Sequence, residues 1–345
     1  MRYALNRLDL RAPPLFAASA KRAEDLGWSM GLIPCSPLLA QDPYVSLAFA
    51  ATETNTIELG TLLDTPVLRH PAVLASSIAT VAQLAPGRVH LGLGAGDTAV
   101  RLNGLAPSTV ASLEQATATA QSLLGGESLD VGATRPARLR HADADKRVPV
   151  WIAAQGPKTL RMAGRVADGV WIRVGTHPDN LRAAWQWVCD GAAEAGRDVS
   201  SIALGLIFHT AVSEDVDEAL CIAKALAAGY FEYSPFLFEG AGHTWNGPAI
   251  HELQKQVWPD FHHHPDMLAA GKVVDFLSSE VATAFALHGS WAQIGAQLEA
   301  VFDLGLPVDY VLPHPVLARG SAINFLEAAP SQLPRCALGQ VIPTR

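Results

Sequence analysis

The sequence predicts an α/β protein, a (β/α)8 (TIM) barrel with an insertion between the seventh and eighth strands, on three observations. Eight short apolar runs read as strands, at residues 2–6, 28–33, 56–61, 88–94, 149–153, 169–174, 202–209 and 308–313. Amphipathic stretches separate them at 14–27, 43–54, 71–84, 107–124, 157–166, 178–195 and 216–228, several opening on proline, whose fixed φ suits a first helical turn. The chain has 345 residues, 49% hydrophobic and 17% charged, enough for one barrel with insertions. Eight repeats favour a closed barrel over an open doubly wound sheet. We expect one domain over residues 1–345, with the insertion at about 229–287.

Composition narrows the function classes. A net charge of -8 supplies no basic stripe to displace counterions from phosphates, so no nucleic-acid partner is expected. Cys35, Cys189, Cys221 and Cys336 form no C-x-x-C pair, which argues against a zinc ribbon or disulfide scaffold and fits a cytoplasmic protein. Arg7, Asp9 and Arg11 interrupt any signal-like apolar segment, and no run approaches the roughly 18 apolar residues of a membrane span.

Taken in order, the strand ends carry the chemistry. The second strand runs into Ile33-Pro34-Cys35-Ser36-Pro37, and the third into Leu62-Leu63-Asp64-Thr65. Arg69-His70-Pro71 opens the third helix, and Pro86-Gly87-Arg88 turns the chain into the fourth strand. That strand ends in Gly92-Leu93-Gly94-Ala95-Gly96-Asp97. A dinucleotide fingerprint needs a third glycine at the sixth place, where Asp97 stands, so that reading fails. In a barrel, Gly94 and Gly96 leave room for a flat ring against the backbone, with Asp97 in the mouth; the plainer reading is a tight turn capped by Asp97.

A polar excursion at 125–147 precedes the fifth strand, which leads into Gln155-Gly156-Pro157-Lys158. Free backbone N–H groups at that helix start attract an anion, with Lys158 either adding charge or standing solvated. The seventh and eighth strands end at His209 and His314, each a proton donor or substrate contact, or else a structural hydrogen-bonding group. The insertion holds Pro235, Pro248, Pro259, Pro265 and His262-His263-His264, with Asp266, His243 and His251 nearby. Consecutive histidines diverge and lack helical ligand spacing, so no metal is expected; a lid over a cofactor or a plain surface loop accounts for them. No Gly-x-Ser-x-Gly elbow, Walker loop or H-E-x-x-H motif is present.

The motifs Leu26-Gly27-Trp28, Asp42-Pro43-Tyr44, Ile57-Glu58-Leu59-Gly60-Thr61, Arg69-His70-Pro71-Ala72-Val73, Pro86-Gly87-Arg88-Val89, Leu91 to Asp97 and Ala153-Ala154-Gln155-Gly156-Pro157-Lys158 occur in this order. Together they resemble the bacterial luciferase-like flavin-dependent oxidoreductases, most strongly the methylenetetrahydromethanopterin reductase branch. The resemblance runs from Arg22 to Val174 and returns more weakly at Phe285-Ala286-Leu287-His288-Gly289 and Val308-Asp309-Tyr310-Val311-Leu312.

It implies a (β/α)8 barrel binding coenzyme F420, a deazaflavin, or FMN in its mouth. It also implies a bulge after the third strand, with a cis peptide at Leu62-Leu63 backing the ring and Asp64 and Thr65 beside it. Gln155, Gly156 and Pro157 would meet the ring edge or phosphate tail, and Asp97 matches a position where relatives place an acid. One departure stands out. Relatives often carry Asp or Asp-His where this chain has Cys35-Ser36, so Cys35 is either a thiol near the ring or an inert buried one.

The leading expectation is therefore an oxidoreductase delivering a hydride from reduced deazaflavin or flavin to a small organic substrate, with Asp97, His209 or His314 handling a proton. An FMN-dependent monooxygenase fed by a partner flavin reductase is the alternative. A barrel that binds a cofactor without turnover is the third reading. The resemblance further implies a homodimer formed through helices near the second and third strands.

Overall fold

The eight expected apolar runs all form strands in the computed structural model, which describes residues 1–6, 8–130 and 134–334; Arg7 and Cys336 lie outside them. The strands are β1 (Arg2–Asn6), β2 (Met30–Ile33), β3 (Glu58–Thr61), β4 (Val89–Leu93), β5 (Val150–Ala154), β6 (Gly169–Ile172), β7 (Ala203–Val212), β8 (Leu287–Gly289) and β9 (Val308–Pro315). The sheet runs β6-β5-β4-β3-β2-β1-β9-β7-β8, and β6 also pairs with β7. Eight strands therefore close a (β/α)8 ring, with the three-residue β8 outside it on the end of β7, where Thr210 pairs in parallel with Leu287.

Local chemistry sets the boundaries. β2 starts at Met30 rather than at residue 28 because the preceding helix Pro13–Asp25 closes through Gly27, at φ 90°, and the Trp28 N–H, which donates to the Ala23 carbonyl at 3.0 Å. β7 runs three residues beyond the expected end at His209, so that histidine lies within a strand and not at its tip.

The chain divides into two compact units, residues 4–173 with 184–205, and residues 1–3, 174–183 and 206 onward. In the first, parallel registers carry the strands from Ala4↔Met30 through Leu32↔Gly60 to Leu93↔Ile152 and Ala154↔Ile172. Large rings fill the space that glycines leave. A Cβ on Gly169 would stand 2.4 Å from the Trp151 indole, and one on Gly205 would stand 2.3 Å from that of Trp171. The two indoles pack at 5.2 Å. The helix Pro157–Val166 meets residues 188–192 of the helix Pro178–Glu194 backbone to backbone: a Cβ on Gly164 would be 2.1 Å from the Val188 carbonyl oxygen, and one on Gly191 would be 1.9 Å from that of Arg161.

The second unit contains the insertion, and it is not a plain surface loop. Short helices Phe236–Gly240, Ile250–Leu253, Met267–Val273 and Ser279–Phe285 follow the long helix Val216–Tyr233, which continues five residues past the expected end at 228. Phe238, Phe261 and Phe285 are buried there, and Gly271 lets the Met267–Val273 helix approach the Cys221 carbonyl oxygen so closely that a Cβ would sit 2.1 Å away. Among the described residues, no helix is long and apolar enough to cross a membrane.

Candidate active site

The carboxyl ends of the first unit's strands hold a buried polar cluster, where barrel proteins place their chemistry. Its geometry begins with a helix cap. Asp42 accepts the backbone N–H groups of Tyr44 at 3.0 Å and Val45 at 3.2 Å, fixing the start of the helix Pro43–Glu53. Tyr44 is thereby seated in the first turn, and its hydroxyl donates to Asp64 Oδ2 at 2.8 Å. Asp64 is fully buried and also accepts the Thr65 N–H at 2.7 Å.

Arg69 links this acid to the helix cap. Its guanidinium bonds to Asp42, stands 3.6 Å from Asp64 Oδ2 and lies over the Tyr44 ring at 5.1 Å. Burial pushes the Asp64 carboxyl above the usual range, against the opposing pull of the Thr65 N–H, the Tyr44 hydroxyl, the Cys35 thiol and the Arg69 charge. Burial and then the neighbouring Asp64 push Cys35 up to about 12, and the same two causes hold Tyr44 well above its ordinary value. Both effects disfavour the Cys35 thiolate.

Above this cluster the chain forms the expected bulge. The Leu62–Leu63 peptide is cis. Backbone bonds tie the bulge on both sides: Leu62 N–H to Ile33 O at 2.8 Å, Cys35 N–H to Leu63 O at 3.1 Å, Asp64 N–H to Gly92 O at 2.9 Å and Gly94 N–H to Asp64 O at 3.0 Å. Leu62 and Thr65 are buried, while the Leu63 side chain remains half-buried.

The glycines expected to clear space for a ring have reasons inside the fold. A Cβ on Gly92 would fall 2.1 Å from the Thr61 carbonyl oxygen, one on Gly94 2.6 Å from Leu63 Cδ2, and one on Gly96, at φ 81°, 2.3 Å from Val100 Cγ2. They accommodate the bulge and the following turn. Asp97 does not cap the turn as the plainer reading had it. Its half-exposed carboxylate binds Arg101 on the next helical turn at 2.7 Å and makes no cap bond, so the acid of this cluster is Asp64.

Gly156, by contrast, has nothing within 4 Å of where a Cβ would stand, and it precedes the helix Pro157–Val166 without a side-chain cap. Gln155 accepts from Arg173 at 3.4 Å, placing a cation at the end of β6, and Lys158 is exposed. An apolar rest at Leu63 and an open helix start flanked by cations fit a ring with an anionic tail.

The second unit carries a cluster of its own. His209 on β7 packs its ring 4.6 Å from His262 and 5.5 Å from His314 on β9, with Tyr230 5.6 Å from His209 and 5.2 Å from His262. His262 and His263 diverge, their rings at 88°. Among the described residues, no group of three or more His, Cys, Asp or Glu is arranged to hold a metal ion.

Sequence reasoning missed Tyr44, Arg69, Arg173 and His262 as site residues. Tyr44 and Arg69 lie inside the motifs Asp42-Pro43-Tyr44 and Arg69-His70-Pro71, but only the fold reveals a hydroxyl reaching a carboxylate 20 residues away. His262 was grouped with the loop histidines, although it is buried.

The fold and the bulge define a barrel of the luciferase-like class. The chain matches the family described as luciferase-like monooxygenase over residues 11–307, and it belongs to that family. It is 31% identical over 201 residues to a 5,10-methylenetetrahydromethanopterin reductase of Methanolobus tindarius, covering 56% of this chain and 61% of the relative. It is 35% identical over 187 residues to an F420-dependent glucose-6-phosphate dehydrogenase of Beutenbergia cavernae, covering 50% and 54%. The chain thus spans between about half and two thirds of the length of these curated relatives. The solved coenzyme F420 dependent tetrahydromethanopterin reductase of Methanopyrus kandleri shares the fold, with a TM-score of 0.78 at 22% identity over 96% of this chain and 98% of that one.

Proposed function

We propose that the protein is a deazaflavin-dependent oxidoreductase that transfers a hydride between coenzyme F420 and a small organic substrate. The observation that carries this reading is the bulge at residues 62–64, tied by backbone bonds on both flanks and leaving Leu63 as an apolar rest. Two relatives named for different substrates, a sugar phosphate and a methanopterin, support the choice of cofactor, since F420 appears in the name of the dehydrogenase and of the solved reductase.

When bound, the reduced cofactor supplies the hydride; the chain supplies position and protons. Leu62 and Leu63 back the ring, Gln155, Gly156 and Pro157 with Arg173 receive the charged tail, and Asp64, Thr65 and Cys35 hold the bulge rigid from beneath.

Anaerobic titration with reduced and oxidised F420 and, separately, with FMN tests the reading. Tight binding of F420 with a perturbed absorption spectrum is the expected result. Binding of FMN alone, with oxygen consumed once it is reduced, would replace this reading with the monooxygenase that the family description names.

A further inference from the structure

Asp64 is a buried acid that shares its cation with another acid. All the groups facing its carboxyl lie in the first unit. Tyr44, from the helix Pro43–Glu53, donates its hydroxyl to Oδ2 at 2.8 Å. The Thr65 N–H donates to Oδ1 at 2.7 Å, and the Cys35 thiol bonds to the carboxyl from beyond the end of β2. β4 meets Asp64 through backbone, at the Gly92 carbonyl and the Gly94 N–H.

Arg69 brings positive charge to this cluster. Its Nη2 is bonded to Asp42, the cap of that helix, while its Nε stands 3.6 Å from Asp64 Oδ2, beyond hydrogen-bond reach. The charges of Arg69 and Asp42 cancel. An ionised Asp64 therefore leaves one negative charge in the interior with nothing left to balance it, and a protonated Asp64 leaves none. Burial, the strongest influence on this carboxyl, already favours the protonated form, so a further negative charge nearby tips it.

The bulge places such a charge close by. Leu63, half-buried, is the rest for the ring, and the next residue, Asp64, is 0% exposed on the covered side of the same backbone. A hydride carries two electrons and one proton, so a ring that accepts it becomes more negative by one charge.

We infer that Asp64 takes up one proton when the ring seated on Leu63 is reduced and releases it when the ring gives the hydride up. This rests on the hydride-transfer reading above. As the ring is reduced, a C–H bond of the substrate breaks and its electron pair leaves with the hydrogen, so the substrate is oxidised. The new O–H bond on Asp64 takes its proton from solvent, and no further electrons move. Asp64 touches no reacting atom and acts by its charge: ionised, it makes the reduced ring a stronger hydride donor, and protonated, a weaker one.

Proton uptake on reduction, read with a pH indicator in weak buffer on the full chain loaded with F420, tests the coupling. At its best pH, above 3.8, the wild type is expected to take up about half a proton or more per ring beyond Asp64→Asn, the amount set by a coupling of about one pH unit. Equal uptake in the two proteins overturns the inference.

Two further variants have directions set by the geometry. Asp42→Asn still caps its helix but leaves Arg69 to Asp64, and is expected to move the pH of greatest uptake down. Tyr44→Phe takes a donor from the carboxylate and is expected to move it up. Opposite shifts, or none in either variant, overturn the inference even where Asp64→Asn does not fold.

Carbon-13 NMR titration of the Asp64 carboxyl in the full chain without cofactor is expected to give a midpoint above 3.8; one at or below it overturns the inference whatever the cofactor. If F420 does not bind, the cofactor reading fails, and the same proton count on the FMN-loaded chain decides the part of Asp64.

Discussion

The hydroxyl of Tyr44 donates to Asp64 at 2.8 Å, joining the first turn of one helix to the end of the third strand through a carboxyl group that no solvent reaches. Removing the donor leaves a buried acceptor short of a partner. Tyr44→Phe is expected to cost about 2 kcal/mol, read as a lower denaturant midpoint at an unchanged m-value.

Asp64 gives the cluster a pH dependence of known sign. Its carboxyl is raised by burial, so the folded chain binds a proton more tightly than the unfolded one. The associated stability is present below the ordinary value of 3.8 and is lost as pH rises through the folded value. Asp64→Asn is expected to flatten the stability profile above pH 3.8, measured by denaturant midpoints at half-unit steps. An undiminished slope in the variant would place the pH dependence elsewhere.

Glu24 behaves in the opposite way. Burial raises its carboxyl, but the N–H groups of Ile57, Thr56 and Asn55 and the Lys21 ammonium outweigh it and bring it to about 2 from 4.5. Its stability contribution is complete above 4.5 and is lost as pH falls through about 2. Glu24→Gln is expected to weaken acid unfolding in that window while lowering stability at neutral pH by about 2 kcal/mol, both visible in circular dichroism melts.

Two glycines separate stability from binding. Gly92→Ala forces a Cβ against the rigid Thr61 carbonyl and is expected to cost about 3 kcal/mol in folding. Gly94→Ala meets only the movable end of Leu63, so it is expected to fold nearly as well yet lose about tenfold in F420 affinity by tilting the ring's rest. Equal effects of the two variants on stability and binding would separate the bulge from the cofactor.

The barrel was legible because its strands are apolar runs broken by proline-led helices, and period and punctuation survive in one dimension. β8 was not, since Leu287-His288-Gly289 is too short to show alternation and exists only by pairing with the end of β7. The cis peptide at Leu62–Leu63 followed from the resemblance, and the burial of Cys35 from the preference of a free cysteine for the interior. Arg101, four residues on from Asp97, pairs with its carboxylate on the helix surface, a contact that the glycine turn before it does not announce. Tyr44–Asp64 and His209–His262 are contacts between residues far apart in sequence, which local pattern does not encode.

The indole–glycine contacts of the first unit have a consequence on the scale of descent. Trp151 with Gly169, and Trp171 with Gly205, occupy one volume between two positions. A side chain at either glycine is expected to displace its tryptophan, so that each pair is coupled in a double-mutant cycle. Compensated double replacement is then the expected route of change there, and a relative that lacks one bulky ring is expected to carry bulk at its partner.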